Sequence, residues 1–198
     1  ARAGRRRPRV EGRGRRVHLI PLSPKKGRPD GPPSPWVILA AWGPCGWSPV
    51  APGTVGTLGA IPLFWALRQL PLWAYLAATV ALFLVAVPAA TRAGAHWKVV
   101  DASPIVIDEV VGYLVAMAFF PWSWGTAIAG FLLFRLMDVM KPWPASALDR
   151  VKTGLGVILD DVAAGVYAGF ALAFVQLGLT LLLGCTGEIH WWCMELTP

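Results

Sequence analysis

From Arg68 to Arg92 the chain runs through 23 residues without a charge, and residues 162–184 form a second uncharged run of the same length. About 20 apolar residues of helix cross the hydrocarbon core of a bilayer. Inside that core every backbone N–H and C=O must find its partner within the segment, which restricts runs of this length to α-helix. Two membrane-grade helices are therefore the firmest expectation for this chain. Composition agrees. Of 198 residues 56% are hydrophobic and only 15% are charged, with a mean hydropathy of +0.54, whereas soluble domains carry about 25% charged residues.

The net charge of +7 is unevenly placed. Residues 1–35 hold eleven Lys and Arg against Glu11 and Asp30, while residues 36–187 balance seven bases with seven acids. The Arg-, Pro- and Gly-rich stretch 1–35 is expected to be a disordered basic arm, suited to an anionic lipid surface. It lacks the apolar core of a secretory signal. No aromatic or glycine-motif interleaving points to nucleic acid, and nothing points to a protein partner. Cys45, Cys185 and Cys193 have no metal-ligand spacing. A Cys185–Cys193 disulfide fits a C-terminus outside the cytoplasm, and free thiols fit equally. Residues 185–198 are expected to form a mixed aromatic tail.

Between arm and tail, residues 36–184 are predicted to form an all-α, multi-pass membrane bundle of about four to five apolar helices. Trp36 to Trp47 is too short to span and is expected at the interface. Prolines followed by glycines and threonines in Ser48–Gly59 predict a turn opening a helix that continues through Leu67. Whether this helix spans stays open. After the uncharged run at 69–91 come a polar loop at 92–103, a helix at 104–120, a turn at 121–125 and a helix at 126–140. A charged loop at 142–156 then leads into a long final helix at 157–184. With a cytoplasmic N-terminus, the loops holding Arg92, Lys98, Lys141, Arg150 and Lys152 fall inside, as the positive-inside rule requires.

This topology collects the polar motifs. Ser48–Gly59, Asp108-Glu109, Arg135–Lys141 and Asp160-Asp161 are all expected at cytoplasmic helix ends. Arg135, Asp138 and Lys141 are spaced by three, which places them near one helix edge. The carboxylates Asp108, Glu109, Asp138, Asp160 and Asp161 cannot all be ionised at one membrane level without counter-charge. Arg135 and Lys141 supply part of it. An oxygen-only donor set suits Mg²⁺ for the rest. The helix start at Pro52–Gly59 offers backbone N–H groups at Gly53 and the hydroxyls of Thr54 and Thr57 to an anion, and Lys141 and Arg150 can meet phosphoryl oxygens. Together these point to metal-assisted phosphoryl chemistry on a lipid head group.

Blander readings stand beside each piece. Gly53, Gly56 and Gly59 also suit helix packing, Arg135–Asp138 a structural ion pair, and Asp149-Arg150 a solvated loop. A proton- or cation-coupled transporter would also place carboxylates in the membrane, although it predicts them at several depths. The histidines His18, His96 and His190 are too few and too scattered for phospho-histidine chemistry. No Cys is followed by Arg six positions on, and there is no Asp-x-Asp pair.

Four blocks carry a resemblance: SPVAPGTVGTLGAIP (48–62), IVIDEVVGY (105–113), FRLMDVMKPWP (134–144) with LDR (148–150), and GLGVILDDVAAG (154–165). In this order the chain resembles the phosphatidylglycerophosphatase A family. The resemblance implies a multi-pass enzyme of the bacterial inner membrane, with its active site on the cytoplasmic side. Such an enzyme dephosphorylates phosphatidylglycerophosphate to phosphatidylglycerol with Mg²⁺. It further implies Asp108, Glu109, Asp138, Asp160 and Asp161 as metal ligands or water-activating base, and Lys141, Arg135 and Arg150 as phosphate or charge partners. The basic arm and the C-terminal tail lie outside the resemblance.

Overall fold

The computed structural model describes residues 29–182 apart from 144, 149, 150 and 152. Arg150, nearly all of the basic arm, and Cys185 and Cys193 therefore fall outside the described residues. Within them the chain is all-helical: α1 (Pro35–Ala40), a 3₁₀ turn (Cys45–Trp47), α2 (Pro52–Leu67), α3 (Leu72–Trp97), α4 (Ile107–Ala116), α5 (Trp124–Met140), α6 (Ala145–Leu148) and α7 (Gly154–Leu182).

The centre of the bundle is α4. Eight of its ten residues are buried, and its main partners are α7, α2 and α3. Ten residues rise only about 15 Å, half of what a spanning helix needs, and most of them face the interior of the bundle. The sequence predicted a helix over 104–120; both its ends are shorter for local reasons. Val106 N–H bonds to the Ala40 carbonyl at 2.9 Å, which ties residues 104–106 to α1 instead of to a helical turn. At the other end Ala118 and Phe120 donate three residues back, to Val115 and Met117. These tight turns bring the helix to a stop ahead of Pro121.

Two close approaches fix α4 on α7. A methyl group on Gly112 would lie 2.6 Å from the Asp161 carbonyl oxygen, and one on Gly165 would collide with the Gly112 carbonyl. Small residues permit this backbone contact, as in other membrane bundles. The remainder of α4 is held by aromatic side chains. Phe64 of α2 meets Tyr75 and Tyr113 edge-to-face, with ring centroids 6.4 and 6.0 Å apart. Both tyrosine hydroxyls are satisfied: Tyr75 donates to the Leu114 carbonyl at 2.7 Å and Tyr113 to the Ala127 carbonyl at 3.1 Å.

Among the described residues, α3 and α7 are the two helices long and apolar enough to cross a membrane. Their outer faces expose large apolar side chains, including Trp73, Val80 and Leu84 on α3 and Phe170, Phe174 and Leu181 on α7, the pattern of surfaces that contact something other than water. Unlike the predicted loop at 92–103, α3 continues past Arg92 to Trp97. The Arg92 guanidinium sits 4.3 Å from the Trp36 ring centroid, and the helix then ends with Lys98 in the left-handed region, at φ 56°. The segment Trp36–Trp47, expected at the interface, is partly internal, with Val37, Ala40 and Ala41 buried. The final helix begins at Gly154, three residues before the predicted Val157, so Asp160-Asp161 lie in its second turn.

Candidate active site

Three helix ends meet at one end of the bundle. Asp108 and Glu109 come from the first turn of α4, Asp138 and Lys141 from the end of α5, and Asp160 and Asp161 from the second turn of α7. All six, with Asp101, Val151 and Val157, line one pocket of about 150 Å³. Asp101 was not among the residues singled out from sequence. Its signal was position: an acid seven residues before Asp108 in a short connection that must return to the same helix end.

The acidic centre is buried. Asp108, Asp160 and Asp161 are 7%, 4% and 4% exposed, depths at which isolated carboxylates are strongly disfavoured. Asp108, Glu109 and Asp161 each present an oxygen within 4.8 Å of the others. Burial, and then the neighbouring Glu109 charge, hold the Asp108 carboxyl well above the usual carboxylate range. Burial also raises Glu109, against the opposing pull of the Asp108 hydrogen bond and the Arg135 guanidinium.

Two basic side chains offset part of this charge. Arg135 Nη1 lies 2.6 Å from Asp138 Oδ2 and 3.7 Å from Glu109 Oε1. Lys141 does not continue the helix edge of Arg135 and Asp138 as its spacing suggested. It leaves α5 in the left-handed region at φ 43° and crosses to α7, where its ammonium donates to Asp160 Oδ2 at 2.5 Å. The compensation stops short of the centre. Glu109 Oε2 and Asp161 Oδ2 are buried without a hydrogen-bond partner, a rare condition that calls for an explanation. Three clustered carboxylates, all-oxygen and with unsatisfied buried atoms, fit a hard divalent cation. Asp108, Glu109 and Asp161 could hold one.

The glycine-rich start of α2 comes close but does not line the pocket. A methyl on Gly53 would collide with Glu109 Oε1 and lie 3.2 Å from Arg135 Nη1, so Gly53 gives these side chains their room. Gly56 packs on Val106, and Gly59 on Cys45 and Trp42. Thr57 is fully buried and its hydroxyl donates to the Gly53 carbonyl at 2.9 Å, one turn back, which removes it from contact with an anion. Thr54 is half-buried on the first turn.

Comparison with known proteins places this pocket in a context. A family model described as phosphatidylglycerophosphatase A matches residues 38–176. Phosphatidylglycerophosphatase A of Escherichia coli is 35% identical over 146 residues, covering 72% of this chain and 84% of that protein. The Haemophilus influenzae protein of the same name is 36% identical over 129 residues, covering 64% and 79%. A Bacteroides thetaiotaomicron protein provisionally named phosphatidylinositol-3-phosphatase is 41% identical over 140 residues, covering 66% and 87%. No solved structure matches the chain.

Proposed function

The chain belongs to the phosphatidylglycerophosphatase A family, and on that premise we propose that it hydrolyses the terminal phosphate monoester of phosphatidylglycerophosphate to give phosphatidylglycerol. The observation that carries the reading to this chain's own chemistry is the carboxylate cluster Asp108, Glu109 and Asp161, with two buried oxygens unsatisfied. Mg²⁺ is the proposed occupant; when bound, it would supply a Lewis acid for the phosphoryl oxygens and a lowered pKa for an attacking water.

The protein's own residues have separable tasks in this scheme. Lys141, held by Asp160 at the pocket wall, meets the anionic phosphate and keeps it from an otherwise all-acidic surface. Arg135 ties Asp138 to Glu109, fixing the Glu109 carboxylate on the Gly53 backbone. Asp101 and Asp138 complete the acidic lining, where a carboxylate within reach of a water can take its proton. Arg150, outside the described residues, is proposed as a further phosphate contact.

The proposed setting is the bacterial inner membrane, crossed by at least α3 and α7, with the pocket on the cytoplasmic side and the basic arm on the anionic lipid surface. A transporter is disfavoured by the placement of the acids at one level and by the family. A phosphoinositide is the second substrate to be tested, because one relative bears that name. Purified protein should release phosphate from phosphatidylglycerophosphate faster than from phosphatidylinositol 3-phosphate, and only with a divalent cation. Faster release from the phosphoinositide would reassign the substrate, and no release from either lipid would end the reading.

A further inference from the structure

The acidic pocket can hold a phosphate, but at about 150 Å³ it has no room for the rest of a phospholipid. A cavity of about 500 Å³ lies next to it, between α3 and the start of α7. The two share walls along the chain: Val99 and Val100 line the cavity and the next residue, Asp101, lines the pocket. Likewise Thr153 to Leu155 line the cavity, between the pocket residues Val151 and Val157.

A second cavity, of about 430 Å³ and almost wholly apolar, lies between the same two helices and residues 115–120 at the end of α4. In the first cavity Thr91 of α3 faces Gly154 of α7, whose missing side chain leaves space for the Thr91 hydroxyl. Thr79 of α3 and Val166 of α7 line the second. Both helices have advanced twelve residues, in opposite directions, so the two cavities belong to one antiparallel seam about 18 Å apart along the helix axes. The seam starts beside the acidic pocket and runs down the apolar faces of the two helices able to cross the membrane.

We propose that this α3/α7 seam receives the diacylglycerol part of the lipid whose terminal phosphate enters the acidic pocket. The proposal rests on the phosphomonoesterase reading above. The first cavity takes the glycerol region and the start of the chains, and the second takes an acyl tail. Charge complements shape. Lys98 lines the first cavity with a largely exposed side chain, its ammonium 3.8 Å from Asp30 at the surface, where the bridging phosphodiester of the same lipid would lie. Hydrocarbon is the occupant because the seam opens at membrane depth, where apolar surface meets acyl chains.

Ala95, in the first cavity, and Ala173, in the second, are both exposed and can carry a larger side chain without disturbing the core. Ala95→Trp and Ala173→Trp should each raise KM for long-chain phosphatidylglycerophosphate by about tenfold, the scale on which apolar pockets discriminate. Ala173→Trp should leave kcat/KM for the dibutanoyl form near the parental value, which also shows that this variant is folded, whereas Ala95→Trp, beside the glycerol region, should lower it as well. Leu132→Trp, on the exposed face of α5, should change neither. A phospholipid bearing a diazirine in its acyl chain should label α3 and α7 peptides in preference to α5 peptides. Unchanged long-chain KM in both variants, or labelling centred on α5, would overturn the groove while leaving the activity standing. No release by the parental protein from either chain length would overturn both.

Discussion

The two ends of α4 handle buried polarity in opposite ways. At the C-terminal end Tyr75 and Tyr113 bury their hydroxyls completely, yet each finds a backbone carbonyl. At the N-terminal end, on the same ten-residue helix, Glu109 and its neighbour Asp161 bury oxygens that find no hydrogen-bond partner. Leaving such an atom unpaired costs on the order of 1–3 kcal/mol, and more when it is charged. One end is closed by its own partners and acts as structure. The other keeps unfilled acceptors on an acidic group that could hold a metal ion, and that is where the bundle can do chemistry. The difference teaches that burial alone does not mark a site; burial with an unfilled partner list does.

The largest effect should come from the incomplete end. Asp161→Asn or Asp108→Asn should lower kcat for phosphate release by about 10³-fold with the thermal midpoint held or raised, because a buried charge is removed. Asp160→Asn should lower turnover as well, by releasing Lys141 from the pocket wall. Near-parental rates in Asp108→Asn and Asp161→Asn would show that the acidic end is as structural as the aromatic one. Lys141→Gln should cost about 10²-fold in kcat/KM, with most of the loss in binding, as steady-state kinetics over a substrate series would show. A loss confined to stability would make Lys141 an internal counter-ion and nothing more.

Gly112→Ala probes the hinge between the two ends. The added methyl meets the Asp161 carbonyl at 2.6 Å and the Phe134 ring at 2.7 Å. Overpacking of this kind costs about 1–3 kcal/mol, and it should move Asp161 from Asp108, so the midpoint and the rate should fall together. At the closed end Tyr113→Phe should cost only about 1 kcal/mol, the net worth of one hydrogen bond, and leave turnover within about twofold. Loss of activity with stability retained in Tyr113→Phe would break the comparison.

Much of this arrangement was readable from the chain. The two uncharged 23-residue runs correspond to α3 and α7, and the proline-then-glycine signal at Pro52 opens α2 where expected. Alternating helix direction was enough to bring Asp108, Glu109, Asp138, Asp160 and Asp161 to one end. What escaped depends on tertiary contacts that hydropathy does not encode. An apolar stretch reads the same whether it faces lipid or the interior, so α4 looked like a longer helix over 104–120 until its ties to Ala40 and its tight final turns shortened it. Lys141 looked like the third member of a helical stripe, because spacing cannot report that its backbone turns left-handed. Thr57 looked available to an anion, since a hydroxyl bonded one turn back is invisible in sequence. Asp101 sat in a loop with no motif around it.

The central claim is that the unsatisfied carboxylates at the head of α4 and α7 hold a divalent cation. It is tested most directly by the unfolding midpoint of the detergent-solubilised protein as Mg²⁺ is titrated, beside Asp161→Asn. A ligand bound only by the folded state stabilises it by about 2.7 kcal/mol at a hundredfold excess over Kd. The parental midpoint should therefore climb with Mg²⁺ and return on chelation, while that of Asp161→Asn stays flat. A parental midpoint indifferent to Mg²⁺, or one that climbs equally in Asp161→Asn, would contradict the claim.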